Sequence, residues 1–282
     1  RDRYMKKKIV KIAIPILILF ITFFITGSIN QNISEASDKK NFGYTDRIPI
    51  LTFHRLVPDE VKDMVYPDNQ WVGSVSVFAQ MMEYLYNNGY ETISTEEFYE
   101  WYVGNREYSK KTVMITFDDG FYEDYYLALP ILKKYNLKAT SFIVGSRIKD
   151  VTRPYNKNKT AFIGLDVINK VREEYPNFEF QSHSYNMHYY TSNNKHRIKS
   201  MSYEELENDV LMNERFGFTS MAYPYGDFNK DIQTILEQKG YLVAFRFGPS
   251  NYATRDSDRF AIPRIKINGT ATINNLIKWL DY

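Results

Sequence analysis

Short apolar segments alternate with amphipathic segments along most of this chain, and this alternation limits the folds available to it. Strands are predicted at residues 49–53, 90–93, 113–117, 139–144, 177–180, 220–223, 242–245 and 261–265. Apolar residues spaced three and four apart predict helices at residues 74–88, 96–102, 122–135, 202–216, 231–239 and 273–280. Strands that alternate with helices favour a parallel sheet covered by outer helices, so the chain is predicted to be an α/β protein.

One predicted strand ends in two adjacent carboxylates. The strand Val113–Phe117 is followed directly by Asp118, Asp119 and Gly120. Neighbouring residues of an ideal strand point to opposite faces, so one carboxylate could bind a cation while the other acts as a base. Ordinary turns also favour Asp and Gly, so the motif indicates a site only if the chain supplies partners.

Two of the four histidines are suitable partners. His183 follows the predicted strand 177–180, and His188 lies five residues further on. The other two are His54 and His196. One carboxylate and two imidazoles that leave a coordination position open form a known type of catalytic zinc site. A lone histidine is more often a surface or hydrogen-bonded residue, but two of them together beside a strand end favour a metal site.

Taken together, Thr116-Phe-Asp-Asp-Gly120 and the downstream His183-Ser…His188 resemble the polysaccharide deacetylases of the NodB-homology type, carbohydrate esterase family 4. The closer resemblance is to the branch that de-N-acetylates poly-β-1,6-N-acetyl-D-glucosamine, a biofilm exopolysaccharide. Three features carry it: the five-residue histidine spacing, Ala222-Tyr-Pro-Tyr-Gly226 in place of an Arg-Pro-Pro-Tyr-Gly-like motif, and the early position of His54. The resemblance covers residues 46–282.

The resemblance implies a distorted (β/α)7 barrel with the catalytic groups at the carboxyl ends of its strands. It implies that Asp119, His183 and His188 bind a divalent metal. Zinc is the first expectation, and nickel, cobalt or iron also suit these ligands. The five-residue spacing excludes a simple helical pair of histidines, so a loop or a distorted turn must bring both to one metal.

The resemblance also implies roles in amide hydrolysis. Asp118 would be the general base, His54 the general acid, and the backbone N–H of Tyr225 an oxyanion donor. Arg264 is the candidate for orienting the base, with Arg246 as second choice. Each has a structural alternative: a supporting partner for Asp118, a core histidine for His54, and a plain Pro-Tyr-Gly turn.

The sequence also predicts the surroundings of two further residues. Trp71 is a candidate for the sugar groove or for the core. His196 lies in a basic, polar stretch and is expected to be solvated.

The expected function is metal-dependent removal of N-acetyl groups from poly-β-1,6-N-acetyl-D-glucosamine at the cell surface. The alternatives are N-deacetylation of peptidoglycan or chitin oligomers, O-deacetylation of another glycan, and an inactive carbohydrate-binding wall protein. The inactive alternative is disfavoured because the three expected ligands and both acid–base residues are present.

Composition excludes some classes of function. The net charge is only +2, which gives no electrostatic support for a nucleic-acid partner. The chain has no cysteine, so disulfides and thiolate metal sites are excluded. Aromatic residues make up 16% of the chain, which suits a surface that stacks on sugar rings. A monomer is expected.

The amino-terminal segment predicts where the protein resides. A basic stretch of residues 1–11 precedes the 18 uncharged residues of Ile12–Ile29, just enough to span a bilayer as a helix. Positive charge before the helix predicts a single-pass membrane protein with an extracellular catalytic domain. The alternative is a signal peptide cleaved near Ser34–Ala36, which would leave a secreted, wall-associated protein.

The same segment sets the expected domain bounds. These are a basic segment with a transmembrane anchor or signal helix at 1–29, a flexible linker at 30–47, and a deacetylase domain at 48–282. Met5 is a possible alternative start of the chain.

Overall fold

Eight parallel strands form the central curled sheet of the described part of the protein. The computed structural model describes residues 43–157 and 159–281. The sheet strands are β2 (Ile50–Phe53), β5 (Glu91–Thr92), β6 (Thr112–Phe117), β7 (Ala139–Ile143), β8 (Phe178–Ser182), β9 (Ser220–Ala222), β10 (Val243–Phe245) and β12 (Ile265–Lys266). In spatial order the sheet runs β10-β9-β8-β7-β6-β2-β12, and β5 pairs with β6.

Two small strand pairs lie outside this sheet. They are formed by β1 (Arg47–Ile48) with β11 (Ala253–Thr254), antiparallel, and by β3 (Arg55–Val57) with β4 (Val72–Ser74), parallel.

Helices connect the sheet strands, as the alternating pattern predicts. The α-helices are α1 (Asp59–Val65), α2 (Val75–Asn87), α3 (Thr95–Tyr102), α4 (Leu129–Lys134), α5 (Leu165–Glu174), α6 (Tyr203–Met212), α7 (Lys230–Gln238) and α8 (Ile273–Leu280). Side chains cap the amino-terminal ends of several helices: Ser74 caps α2, Asn229 caps α7, and Ser202 forms a capping box with Glu205 at α6.

The curled sheet separates two apolar layers. Alternate strand residues such as Ile50, Met114 and Phe142 pack together on one face. The intervening residues, such as Leu51 and Ile115, pack on the other face against α2, α4, α5 and α8. All six residues of β6 are buried, as expected for a strand covered on both sides.

The segment 262–266 contacts both edges of the sheet. Ile262 bridges Phe245 of β10 in parallel, while Ile265 pairs with Leu51 of β2. The carboxyl ends of the seven strands from β10 to β12 therefore surround one end of the curled sheet, where the candidate site lies.

Several sequence predictions of local structure need correction. The helix predicted at 122–135 is a π-helix, Asp124–Ala128, followed by α4, in which Pro130 occupies the first turn. The strand predicted to end at Phe180 continues to Ser182, so His183 follows it directly. Helices α1 and α5 were not predicted.

The expected anchor at 1–29 and residues 30–42 of the expected linker lie outside the described residues. Within the described part, no helix is long and apolar enough to cross a membrane.

Candidate functional site

Neighbouring strands place His54 and Asp118 side by side. Phe53 of β2 pairs with Phe117 of β6, so the residues that follow them leave the sheet together. The N–H of Asp118 donates to the carbonyl of Phe53 at 3.1 Å, which fixes the register at the strand ends.

Asp119, His183 and His188 form one cluster of possible metal ligands. Their ligand atoms all lie within 4.8 Å of one another. Asp119 Oδ1 is 2.8 Å from His188 Nε2 and 3.8 Å from His183 Nε2. Asp119 has a φ of 77°, and this left-handed conformation separates its side chain from that of Asp118. The structure therefore brings the three residues singled out from the sequence to one point.

His183 is held in the tautomer that a metal ligand requires. Its Nδ1 lies 2.8 Å from the carbonyl oxygen of Ala222, which can only accept, so Nδ1 carries the proton and Nε2 keeps its lone pair. Burial is the main influence on His183 and lowers its pKa to about 4, although the negative charges of Asp118 and Asp119 act to raise it. The imidazole is therefore neutral at physiological pH.

A buried carboxylate on α6 shapes the loop between the two histidines. Asp209 accepts hydrogen bonds from the N–H groups of Tyr185 and Asn186, each at 2.7 Å. Ser184 adopts a φ of 64°, and this distorted turn brings His188 back towards His183 despite the five-residue spacing. Burial raises the pKa of Asp209 to about 6, while the two N–H groups oppose the shift. Asp209 was not identified from the sequence, because no motif connects α6 with the histidine loop.

Arg264 forms a two-pronged ion pair with Asp118. Its Nη1 and Nη2 donate to Asp118 Oδ1 and Oδ2 at 2.8 and 2.7 Å, and both side chains are buried. Burial alone would raise the pKa of Asp118, but the charge of Arg264, with that of His183, outweighs it and lowers the pKa. Arg246, the second choice, contributes only its backbone carbonyl, which lies 3.4 Å from Arg264 Nε.

His54 stands among aromatic rings on one side of the cluster. Its ring centroid is 4.7 Å from that of Trp71 and 5.6 Å from that of Phe247. Burial lowers the pKa of His54, and the charges of Asp118 and Asp119 oppose the shift. Trp71, which is 46% exposed, lines the cleft rather than the core.

Tyr225 lies on the opposite side, in the tight turn Pro224–Gly226, with a φ of 59°. Its Oη is 3.4 Å from His188 Nδ1. His196 stacks on the Tyr225 ring at 4.1 Å and 11°, and its Nδ1 hydrogen-bonds Asp227. His196 is therefore partly buried rather than freely solvated as expected, because it packs on Tyr225 and pairs with Asp227.

Arg147 is a second neighbour of the cluster that sequence reasoning missed. Its Nη2 lies 3.3 Å from His188 Nδ1, and its Nη1 lies 3.8 Å from Asp119 Oδ1. Arg147 belongs to a short 3₁₀ turn after β7, where the sequence carries no recognisable motif.

These groups surround a cleft of about 410 Å³. Acidic and imidazole groups occupy its floor, and aromatic rings form its walls. The lining residues are His54, Arg55, Asn69, Trp71, Val72, Asp118, Asp119, Phe121, Thr160, His183, His188, Tyr190, Tyr225 and Phe247.

Comparison with protein families gives one matching domain description. A family model described as "Polysaccharide deacetylase" matches residues 105–244, a range that contains Asp118, Asp119 and both histidines of the cluster.

Similar proteins and structures support the same grouping. The chain is 25% identical over 291 residues to a poly-beta-1,6-N-acetyl-D-glucosamine N-deacetylase of Staphylococcus aureus (strain N315), covering 97% of each chain. A solved deacetylase from Streptococcus pyogenes, PplD in complex with acetate, superposes with a TM-score of 0.68 at 23% identity, covering 84% of this chain and 99% of that one. IcaB from Ammonifex degensii superposes with a TM-score of 0.67 at 21% identity, covering 84% and 98%. The two structures show that the fold is shared.

Proposed function

Because this chain belongs to the polysaccharide deacetylase family of hydrolases, we propose that it removes N-acetyl groups from poly-β-1,6-N-acetyl-D-glucosamine with the help of a divalent cation. The observation that carries the chemistry is the convergence of Asp118, Asp119, His183, His188 and His54 at one cleft. The polymer is proposed from the S. aureus relative, which matches over almost the whole length of both chains.

The cluster of Asp119, His183 and His188 fits a divalent cation. Asp119 Oδ1 is buried and, within the described residues, accepts no well-formed hydrogen bond, although His188 Nε2 lies 2.8 Å away. Burial would raise the pKa of Asp119, but the nearby imidazoles of His188 and His183 outweigh burial and lower it, so the group is anionic. One carboxylate and two imidazoles suit zinc, and also nickel, cobalt or iron.

When bound, such a cation supplies Lewis acidity, which polarises the amide carbonyl and makes a water molecule more acidic. The side chains of this protein hold it. Asp119 would give a carboxylate oxygen, and His183 and His188 would each give Nε2.

Asp118 is the proposed general base. Its lowered pKa keeps it ionised at neutral pH, and each carboxylate oxygen retains a lone pair beyond the one used by Arg264. Arg264 therefore orients the carboxylate without consuming its capacity to accept a proton from water. General base catalysis of this kind typically contributes about 10²–10⁴-fold to the rate.

His54 is the proposed general acid. It would deliver a proton to the amide nitrogen as the carbon–nitrogen bond breaks, so that acetate and a free amine leave. The backbone N–H of Tyr225 is the proposed donor to the developing oxyanion, a contribution worth about 3–4 kcal/mol in related sites.

The aromatic walls are proposed to bind the sugar. Trp71 and Phe247 lie on the His54 side, and Tyr190 packs 5.0 Å from Tyr225 on the other. Aromatic rings present apolar faces that can stack on pyranose rings, while the polar floor holds the acetamide.

We also propose that the protein acts at the cell surface. The basic stretch before the apolar run Ile12–Ile29 supports a single-pass anchor with the catalytic domain outside the membrane. An extracellular polymer would then meet the cleft directly.

The test is release of free amines by the purified full-length chain with added zinc. We expect release from the β-1,6 polymer and loss of activity in Asp119→Asn and in His183→Ala. Asp281→Asn, an exposed carboxylate at the end of α8, is the matched control and should keep full activity. Release from peptidoglycan or chitin oligomers alone would exclude the proposed polymer, and full activity of Asp119→Asn would exclude the metal site.

A further inference from the structure

A second groove continues from the catalytic cleft. Its volume is about 570 Å³, and Thr160 lines both the groove and the cleft. Arg147, which contacts Asp119 and His188 of the cluster, lines the groove as well. A polymer that places one sugar over the cluster can therefore extend its neighbouring sugar into this groove.

The groove is positively charged. Arg147, Lys149 and Arg153 line it, and no carboxylate does so among the described residues. Lys149 and Arg153 are exposed and form no ion pair within the described part of the chain. The nearby Asp166 does not line the groove, and its carboxylate accepts from the N–H and the hydroxyl of Thr152 at 2.9 and 2.6 Å.

The charge is concentrated in one loop. Residues 147–159 contain five cationic side chains and one carboxylate, whereas the whole chain has a net charge of only +2. The cations of the segment are Arg147, Lys149, Arg153, Lys157 and Lys159. Lys157 pairs with Glu60 at 3.6 Å, and Lys159 does not line the groove, so Arg147, Lys149 and Arg153 are the cations that line it.

An acetylated sugar and its deacetylated product differ in charge. N-acetylglucosamine is neutral, whereas the free amine of glucosamine is protonated in neutral or mildly acidic solution. An ammonium group in the groove would lie within one Debye length, about 10 Å at 0.1 M salt, of the lining cations. The groove would then bind the substrate form of the neighbouring sugar and repel the product form.

We propose that this groove is a charge-selective subsite that accepts an N-acetylated sugar and excludes a deacetylated one. The proposal rests on the proposed function. Its consequence is that the enzyme spaces its deacetylation events along the polymer, because each new amine disfavours reaction at the sugar whose neighbour would occupy the groove.

The test compares a fully acetylated pentamer with a set of pentamers on the full-length chain with zinc. Each pentamer of the set carries one free amine, at a different position next to the reacting sugar. The two exposed cations Lys149 and Arg153 should together reduce kcat/KM for the disfavoured amine isomer by roughly two- to thirty-fold at low salt, the effect expected of two exposed charge pairs. The ratio of kcat/KM for the fully acetylated pentamer to kcat/KM for the disfavoured amine isomer should fall towards one at about 1 M salt, where the Debye length is about 3 Å.

A charge-neutral variant identifies the residues responsible. Lys149→Gln/Arg153→Gln should reduce the ratio of kcat/KM between the fully acetylated pentamer and the disfavoured amine isomer. Lys110→Gln/Lys278→Gln removes the same charge from exposed positions outside both grooves and should keep the ratio of the unmodified chain. Tandem mass spectrometry should show adjacent amines more often in the products of Lys149→Gln/Arg153→Gln than in those of the unmodified chain.

The outcomes separate this proposal from the proposed function. Equal kcat/KM for all oligomers, or a ratio unchanged in Lys149→Gln/Arg153→Gln, would overturn the subsite. If β-1,4 pentamers react and β-1,6 pentamers do not, the proposed polymer fails, and the ratio measured on β-1,4 pentamers still decides the subsite. No reaction with either linkage would overturn both.

Discussion

At the level of single residues, the adjacent pair Asp118 and Asp119 shows how one motif serves two environments. Strand alternation predicted that the two carboxylates diverge, but the strand ends at Phe117, and the left-handed conformation of Asp119 separates them instead. Asp118 is paired with Arg264, and Asp119 faces the histidines. The divergence was thus predicted for a reason that the structure does not bear out, although Asp is one of the few residues that tolerate a left-handed conformation. The pairing with Arg264, 146 residues away, came only from the family resemblance.

The pair of Asp118 and Arg264 makes a testable prediction. In Arg264→Gln a buried carboxylate loses its counter-charge, so we expect a loss of about 3–5 kcal/mol in the free energy of unfolding at neutral pH. Burial, which raises the pKa of Asp118, would no longer be offset by Arg264. Since the base must be ionised, the acidic limb of the kcat/KM profile should move to higher pH.

Denaturant melts and a pH–rate profile measure both effects. Arg246→Gln is the control, because this side chain lines a different groove and should change neither quantity. Arg264→Gln/Asp118→Asn should recover stability but not activity, because it removes the buried charge together with the base. An acidic limb that stays in place in Arg264→Gln would contradict the assignment of Asp118.

At the level of elements, the sequence predicted the segments that carry local signals. The helix from Ser202 carries a capping box, and Ile273–Leu280 has a strong apolar face, so both were predicted near their true bounds. The π-helix Asp124–Ala128 was not predicted; its buried Asp124 accepts from Ser141 of β7 at 3.0 Å, a contact between separate elements. Contacts between distant strands cannot be inferred from local periodicity.

The turn Pro224–Gly226 holds the proposed oxyanion donor, so we expect that loosening this turn lowers kcat. A non-glycine residue in the left-handed region costs roughly 1–3 kcal/mol, so the surroundings must hold Tyr225 there. Two contacts do so: His196 stacks on its ring, and Gly226 packs so closely that an added Cβ would lie 2.0 Å from the carbonyl oxygen of Phe247.

His196→Ala should therefore lower kcat by roughly tenfold, or about 1.4 kcal/mol, because the N–H of Tyr225 would be held less firmly. His196→Phe keeps a stacking ring and should retain most of the activity. Steady-state kinetics with thermal melts measure the two variants, and the melts should show that both remain folded. Full kcat in His196→Ala would mean that the turn is held without the stacking ring.

At the level of the whole molecule, parallel topology explains why the site could be anticipated. Residues 54, 118, 183 and 225 are far apart in sequence, but each follows a strand of one parallel sheet. Parallel strands end on the same side, so their flanking residues meet there. The contributions of Asp209, Arg147 and His196 depend on how loops fold back over that end, and no sequence pattern reports this.

Metal binding links this site to the stability of the folded chain. A cation that binds only the folded state at 100 times its dissociation constant stabilises it by about 2.7 kcal/mol. For a domain of this size, that should raise Tm by about 5–10 °C at neutral pH. Asp119→Asn should abolish the shift, and Asp281→Asn should keep it.

The pH dependence of that shift follows from His183. Burial is the main cause of its lowered pKa of about 4, below the ordinary value of 6.5. In the metal-free protein the unfolded chain binds a proton at this histidine more readily than the folded chain does, so acidification destabilises the fold. About 3 kcal/mol of the free energy of unfolding is lost as the pH falls from 6.5 to about 4. Since a protonated imidazole cannot bind a cation, the zinc-induced rise in Tm should shrink with acidification and vanish below the pKa of His183. Calorimetric melts with zinc and with chelator across this range measure it, and a rise that persists below pH 4 would show that the cation binds elsewhere.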